Sequence, residues 1–465
     1  MVRAKNAPSL RAGLADATSE RFFFDRAARV CVTKLGRGTS LGGRLAALAG
    51  RSVMVATASQ LAAALALIEL DGIARRLTIL PPDTAPEHLA ALIGCAEVDA
   101  VVVDDGTLPH AALDLPLRVP VTPAIAPAGD LPPMAAHTEW VLLTSGTSGV
   151  PKMALHDLAS LIAPIGVERP DGAVVWGTFY DIRRYGGLQI FLRALIGDAS
   201  LVLSSAGEPI AEHLARLGRC GVTHLSGTPS AWRRALMSPA IGTIAPRYVR
   251  LSGEIADQAI LDHLRATFPQ ARIGHAYAST EAGVAFEVED GRAGFPADIL
   301  EHDRDGVELR LVDGALRIRS PRTAQRYLGR AAPALRDRDG FVDTGDMVER
   351  RGDRYVFVGR RGGIINVGGL KVHPEEIEAV INRHPQVRMS LVRPKQNAVT
   401  GAIVIADVVL KPQSAGAEAG GELAIKNDIL ALCREALPRH KVPAAISIVP
   451  ALNVAATGKL ARRYG

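Results

Sequence analysis

Between residues 52 and 104, short β-branched apolar runs alternate with longer stretches of helical period, and this alternation restricts the chain to α/β architectures. Residues 52–57 predict a strand, 60–74 a helix, 77–80 a strand, 87–95 a helix and 100–104 a strand. That order implies βαβ units on a largely parallel sheet. A proline-rich connector over 115–133 leads to a further strand at 140–143, and the alternation resumes with candidate strands at 173–176, 200–203, 222–226, 248–252 and 273–277. Over 307–319 the pattern changes to a hairpin around Asp313-Gly314, which predicts an antiparallel subdomain. A break follows at Gly359-Arg360-Arg361-Gly362-Gly363. Beyond it lie a helix with an acidic start (374–383), an alternating strand (402–410), a Gly/Ala tract (414–421) and another helix (422–437). The chain is therefore read as α/β. A large N-terminal domain over 1–361, with mostly parallel sheets, flanking helices and an antiparallel subdomain, is hinged to a small α+β domain over 362–465. At 465 residues the chain exceeds what one hydrophobic core usually fills.

The strand at 140–143 runs into Thr144-Ser145-Gly146-Thr147-Ser148-Gly149-Val150-Pro151-Lys152. The glycines let backbone N–H groups approach oxyanions, the hydroxyls of Thr144, Ser145, Thr147 and Ser148 donate further hydrogen bonds, and Lys152 adds a compact cation. Such a loop suits a polyphosphate. It is not a Walker A loop, which needs an adjacent Gly-Lys-Ser/Thr, because Pro151 separates Gly149 from Lys152.

Composition narrows the partners. The net charge is +6, but the arginines are dispersed and aromatic residues make up only 4%, so nucleic acid is not expected and an anionic small molecule fits. No apolar run reaches the roughly 18 residues of a membrane span, and no apolar stretch follows Arg3 and Lys5 as a secretory signal requires. Cys31, Cys95, Cys220 and Cys433 lack metal-ligand or CxxC spacing, which points to reduced thiols and a cytoplasmic protein.

Four more constellations follow in order. Tyr277-Ala278-Ser279-Thr280-Glu281 closes a predicted strand, at the end of a sheet where α/β ligand sites gather. Asp343-Thr344-Gly345-Asp346 places Asp346 on a tight turn, suited to accept from two ribose hydroxyls. Arg360 opens the break, and Gly368-Gly369-Leu370-Lys371 follows it. Thr457-Gly458-Lys459 lies on the C-terminal tail. Taken singly, Glu281 reads equally as a helix N-terminal charge, Asp346 as a turn former and Lys459 as a solvated lysine.

In this order the motifs closely resemble those of the adenylate-forming superfamily of acyl-CoA synthetases, peptide-synthetase adenylation domains and luciferases, over about 140–462. The resemblance implies ATP-dependent activation of a carboxylic acid to acyl-AMP with release of pyrophosphate, with ATP, Mg²⁺ and coenzyme A as cofactors. Residues 144–152, including Gly146, would hold the β- and γ-phosphates, Thr280 would lie near the α-phosphate and Glu281 would help to bind Mg²⁺. Tyr277 would stack on adenine, Gly253 and Glu254 would wall the adenine pocket, and Asp346 and Arg360 would bind ribose. Lys459 would bridge the acid carboxylate and the α-phosphate. The family's small domain then rotates, bringing Gly368 and Gly369 to line a pantetheine tunnel with Lys371 as a phosphate contact. Where the family's hinge usually carries Asp or Lys, this chain has Gly362, which permits the rotation and lacks the charge.

The acyl pocket departs further from the family. Ile182-Arg183-Arg184-Tyr185-Gly186-Gly187 occupies the place of an aromatic-His-x-x-Gly segment and puts Arg183 where the histidine stands. Arg183 reads either as a structural arginine or as the contact for an anionic substituent on the acid. Tyr185, Gly186, Gly227, Thr228, Ala276, Ala278 and Gly283 are the other candidate pocket positions, mostly small and leaving room for a sizeable or flat acid. Asp181 is out of register with the aspartate that holds an amino group in peptide synthetases, which disfavours an amino-acid substrate. Ser252-Gly253-Glu254 resembles acetyl- and benzoate-type synthetases and points to an aryl or short acid. Three classes remain: an acid–CoA ligase, a stand-alone adenylating enzyme that loads a phosphopantetheinyl carrier protein or forms an amide, and a non-catalytic scaffold. The chain is expected to be a monomer or a homodimer.

Overall fold

The computed structural model describes residues 9–15, 20–104, 115–129, 137–144, 151–166, 173–329, 332–397, 401–411, 419–455 and 458–461. The predicted alternation builds two large sheets. In the first, seven strands run in the order Arg326–Tyr327, Lys152–Asp157, Glu139–Thr144, Arg76–Ile79, Ser52–Val55, Ala100–Val103, Arg118–Pro120. Its central pairings are parallel, and the Lys152–Asp157 strand turns back antiparallel with Lys152 opposite Thr144. In the second, eight strands run in the order Gly283–Val288, Arg272–Ser279, Tyr248–Ser252, His224–Gly227, Val175–Thr178, Ser200–Val202, Phe22–Phe24, Arg29–Cys31. The helix Gln60–Leu70, LAAALALIEL after its first residue, is buried along its whole length, which explains why it carries almost no polar side chain. Glu69 is its buried exception and is met by Arg11 and by the Ser40 amide and hydroxyl.

A five-stranded antiparallel sheet follows, in the order Phe295–Pro296, Arg354–Arg360, Val342–Arg351, Ala315–Arg319, Glu308–Val312. The expected hairpin is there: Asp313 and Gly314 have φ of 51° and 75°, the left-handed pair that a two-residue turn between twisted strands demands. One expectation needs correcting. Asp346 does not sit on a tight turn but inside the Val342–Arg351 strand, next to a register shift at Met347/Val348. Gly345, at φ 68°, bends the strand there, so the Asp/Gly spelling marks a bulge. The proline-rich connector likewise holds two short edge strands, Arg118–Pro120 and Ala126–Pro127.

After Arg360 a single 3₁₀ turn, Arg361–Gly363, leads to the hairpin Ile365–Val367 and Leu370–Val372. Beyond it, the helices Pro374–Ile381 and Ala419–Ala436 pack with a three-stranded sheet in the order Val387–Asn397, Gly401–Leu410, Ala445–Ile448. This region has its own core, which includes Val372, Ile377, Val408, Ile429 and Cys433. The Val387–Asn397 strand has little apolar alternation at its charged end and contains Pro394. It pairs on one side only, where a residue without an N–H is tolerated. The four cysteines are free thiols, and among the described residues no helix is long and apolar enough to cross a membrane.

Candidate active site

The second sheet's parallel strands end together, and the C-terminal tail enters at that edge. Thr228, which follows the His224–Gly227 strand, caps the helix Pro229–Ala235 by accepting from the Ala231 amide, and its hydroxyl donates to the Gly458 carbonyl at 2.6 Å. Glu254, which follows Tyr248–Ser252, accepts from the Ser230 amide and hydroxyl and from the Leu460 amide at 2.9 Å. Lys459 is thus held on both flanks. Gly253 lies beneath it at φ 86°, and a methyl group built on that glycine would stand 3.3 Å from Lys459 Cε and 3.8 Å from Nζ.

Lys459 lies in an open cleft: solvent reaches the side chain, yet protein surrounds it closely enough that burial lowers its pKa below the ordinary lysine value. Glu254 and then Asp346 oppose that shift, while Arg360 and then Arg184 add to it. The cleft therefore gathers Lys459 and Arg360 with Glu254 and Asp346, while the nearby Arg184 is paired with Asp83. Asp346 takes Arg360 Nε at 2.8 Å on one oxygen and the Tyr277 hydroxyl at 2.5 Å on the other. Tyr277 packs nearly parallel to Phe357 and Phe286, with ring centroids 5.1 and 5.6 Å away.

A second group stands at the mouth of the phosphate-type loop. Lys152 lies 5.2 Å from the centre of the Tyr327 ring, and the Tyr327 hydroxyl donates to Glu281 at 3.0 Å. The turn carrying Thr280 and Glu281 is pinned through its backbone: the Glu281 carbonyl accepts from the Ala324 amide, and the Thr280 carbonyl faces His156 Nε2 at 2.7 Å. A carbonyl only accepts, so Nε2 carries the hydrogen, while Nδ1 faces the Ser160 hydroxyl at 3.1 Å. Among the described residues no group of three or more His, Cys, Asp or Glu side chains forms a metal cage. A Mg²⁺ shared with a polyphosphate needs only one or two carboxylates, and Glu281 fits that need.

The sequence expectations divide accordingly. Thr228, Gly253, Glu254, Asp346, Arg360 and Lys459 converge, although Thr228 and the Glu254 carboxylate hold the tail. Thr144, Lys152, Thr280 and Glu281 meet at the loop, whose Ser145, Gly146, Thr147, Ser148 and Gly149 lie outside the described residues, as does Thr457. Gly368, Gly369 and Lys371 sit on an exposed hairpin. Gly362 has open space around it. Tyr185 and Ala276 are buried, and Gly186 faces the Tyr180 ring. Ala278 is half-buried against the main core.

Three pocket assignments are corrected. Gly227 and Gly283 leave no room for an acid, because a methyl group at either would strike the Phe179 ring at 2.5 Å or the Arg322 carbonyl at 2.4 Å. Arg183 is 1% exposed and spent inside the fold. Its Nε and Nη2 grip Asp181 at 2.8 and 2.6 Å, and its Nη1 donates to the carbonyls of Thr57 and Ala58. Four of its five N–H groups are engaged, so it is a structural clamp. His156, Arg184 and Tyr327 were not singled out as site residues, because each reaches the site through contacts distant in sequence that a local motif does not record.

Arg183→Met should lower stability by about 3–5 kcal/mol, since it leaves Asp181 without its partner. In thermal unfolding the midpoint should fall, and a stability equal to that of the unaltered chain would contradict the clamp. His156 generates a pH prediction. Burial pushes its pKa from 6.5 down to about 4, with the Thr280 carbonyl opposing. Between those values the unfolded chain binds the extra proton and the folded one does not, so stability falls as pH drops from 6.5 towards 4. Urea unfolding at pH 7 and pH 5 should differ by about 2 kcal/mol more in the unaltered chain than in His156→Gln. Equal differences would place the titration elsewhere.

Comparison with known proteins gives the family. Residues 118–328 match the family model for AMP-binding enzymes, and residues 376–459 match that for the AMP-binding enzyme C-terminal domain. A 2-succinylbenzoate–CoA ligase of Salmonella typhimurium is 26% identical over 283 residues, which span 58% of this chain and 58% of the relative's length. The Listeria innocua protein of the same name is 26% identical over 394 residues, 79% of this chain and 78% of its own. The solved structure of the anthranilate CoA ligase AuaEII in complex with anthranoyl-AMP shares the fold, with a TM-score of 0.78 at 17% identity over 96% of this chain and 93% of that one. With both family models matched in the order in which the site motifs occur, the chain belongs to the AMP-binding enzymes of the adenylate-forming superfamily.

Proposed function

We propose that the chain activates a carboxylic acid with ATP and passes the acyl group to the thiol of coenzyme A. The observation that carries this reading is the seat of Lys459, which family membership alone does not fix: the tail delivers it to the cleft that Gly253, Glu254, Asp346 and Arg360 line. In the first step a carboxylate oxygen attacks the α-phosphorus of ATP, the bond to the β-phosphate oxygen breaks, and pyrophosphate leaves with that electron pair. Lys459 stands where the attacking carboxylate and the α-phosphate share negative charge, and a fixed cation there stabilises the transition state without reorganisation. Asp346 is oriented by Arg360 and Tyr277 to accept from the ribose hydroxyls. Lys152 and the loop hydroxyls bind the phosphates that become pyrophosphate. Mg²⁺ bound with Glu281 would offset charge on the triphosphate.

In the second step the CoA thiolate attacks the acyl carbon and AMP departs. The tail must first withdraw, because Lys459 fills the cleft while Gly368, Gly369 and Lys371 lie outside on their hairpin. We place the pivot at Gly362, between the regions 1–361 and 362–465. The two relatives named for 2-succinylbenzoate and the neighbour bound to anthranoyl-AMP favour an aryl acid, in keeping with Ser252-Gly253-Glu254.

Lys459→Ala should lower acid-dependent ATP–pyrophosphate exchange on the order of 10²- to 10³-fold and spare thioester formation from supplied acyl-AMP. Gly369→Trp should do the reverse, blocking the thiol's approach while exchange continues. Equal losses in both half-reactions for either variant would remove the division of labour between the tail and the hairpin. Labelling of a phosphopantetheinyl carrier without consumption of free CoA would replace CoA as the acceptor.

A further inference from the structure

Lys152 and Glu281, two of the charges that the reading above gives to the triphosphate and its metal, belong to different sheets, and one short segment ties them together. Residues 324–328 run along the edge of the first sheet. Tyr327 pairs with Ala154 in the Lys152–Asp157 strand, and the amides of Gln325 and Leu328 donate to the Leu155 and Met153 carbonyls at 2.7 and 2.9 Å. The Gln325 side chain adds a bond to Asp157, the cap of the helix Leu158–Ile162. The same segment reaches the turn at the end of the second sheet, where the Ala324 amide donates to the Glu281 carbonyl at 2.9 Å.

Tyr327 touches both charges with its side chain. Lys152 stands two residues before Ala154, so it projects from the same face of the sheet as the tyrosine, and its ammonium lies 5.2 Å from the ring centre. The hydroxyl donates to Glu281 Oε1 at 3.0 Å, and among the described residues no group donates to Oε2. Burial, then the charge of Glu281 and this hydrogen bond, raise the hydroxyl above the ordinary tyrosine pKa, so it stays a donor around neutral pH. One segment therefore fixes Glu281 twice, at its carbonyl through Ala324 and at one carboxylate oxygen through Tyr327, and a carboxylate gripped by one oxygen presents the other to a cation.

We propose that Tyr327 is a positioning residue, whose hydroxyl aims the Glu281 carboxylate at the Mg²⁺ that accompanies ATP while its ring stays beside Lys152. This rests on the reading above, in which the loop takes ATP with Mg²⁺. Carboxylates that ligate metals are themselves hydrogen-bonded, and loss of such a partner typically costs about 10- to 100-fold in metal affinity. The contact between Lys152 and the ring is weaker, because solvent reaches the ammonium. The two contacts separate by chemistry: phenylalanine keeps the ring next to Lys152 and removes the donor to Glu281. A loss confined to the metal's contribution is then the mark of the hydroxyl, and a general loss of nucleotide binding is not.

The test measures binding without turnover. Calorimetry follows α,β-methylene-ATP, which cannot release pyrophosphate, once with saturating Mg²⁺ and once with EDTA. In the unaltered chain Mg²⁺ should tighten binding about tenfold or more, and Tyr327→Phe should cut that enhancement about tenfold while the affinity in EDTA stays within twofold. Adding Tyr327→Phe to Glu281→Gln should change neither affinity by more than about twofold, because the carboxylate through which the hydroxyl acts is already gone. An enhancement untouched by Tyr327→Phe, or an effect of the same size in the Glu281→Gln background, would overturn the positioning role and leave ATP binding standing. Binding that Mg²⁺ does not strengthen in the unaltered chain would overturn Glu281 as a metal ligand, and no binding at all would overturn the ATP reading, each taking the inference with it.

Discussion

The seat of Lys459 depends on two hydrogen bonds that hold the backbone of Gly458 and Leu460 against a sheet edge. Thr228 donates to the Gly458 carbonyl and Glu254 accepts from the Leu460 amide, so the backbone on both sides of Lys459 is held and its side chain lies over Gly253. Net contributions of about 0.5–1.5 kcal/mol for a neutral bond, and about 1.5–3 for one to a charged group, make this seat specific without making it permanent. Two further polar contacts between the two regions are of the same modest kind. Asn382 donates to Asp257 at 3.2 Å, and Arg351 lies 3.5 Å from Glu376. A tail held this way can leave the cleft, as the proposed reaction requires between attack at the α-phosphorus and attack at the acyl carbon.

The arginines show how burial divides residues of one type into different roles. Arg183 satisfies its N–H groups locally and acts as a strut between the start of the helix Tyr185–Ile196 and the loop at Thr57 and Ala58. Arg360 aligns Asp346 at the cleft, where solvent still reaches it. Arg193 and Arg250 share Glu287 beneath the helix, and among the described residues one nitrogen of each has no hydrogen-bond partner. Partner count and exposure, rather than the residue type or its place in a motif, distinguish these arginines.

Much of the architecture was legible because crossover helices and buried parallel strands carry strong apolar signatures: the strands at Ser52–Val55, Ala100–Val103 and Tyr248–Ser252 lie within a residue or two of expectation. Charged strands of the antiparallel sheet were harder to read. Asp346 looked like a turn residue because Asp-Thr-Gly-Asp spells a turn locally, whereas the cross-strand ladder to Arg354–Arg360 overrides that preference. The chemistry of the motifs was legible as residue types in order. Their supports were not, since His156 meets Thr280 across 124 positions and Tyr327 meets Glu281 across 46. Glycines misled where a missing side chain suggested pocket space. At Gly227 and Gly283 the space is filled by Phe179 and Arg322, and only packing reveals that.

The central claim is that the acid's own carboxylate oxygen attacks the α-phosphorus at the cleft Lys459 enters. Turnover with an acid labelled with ¹⁸O in its carboxylate, followed by mass analysis of the products, tests it directly. The account predicts one labelled oxygen in the phosphate of AMP and none in pyrophosphate. Label found in inorganic phosphate with ADP as the nucleotide product, or AMP formed without label, would contradict it.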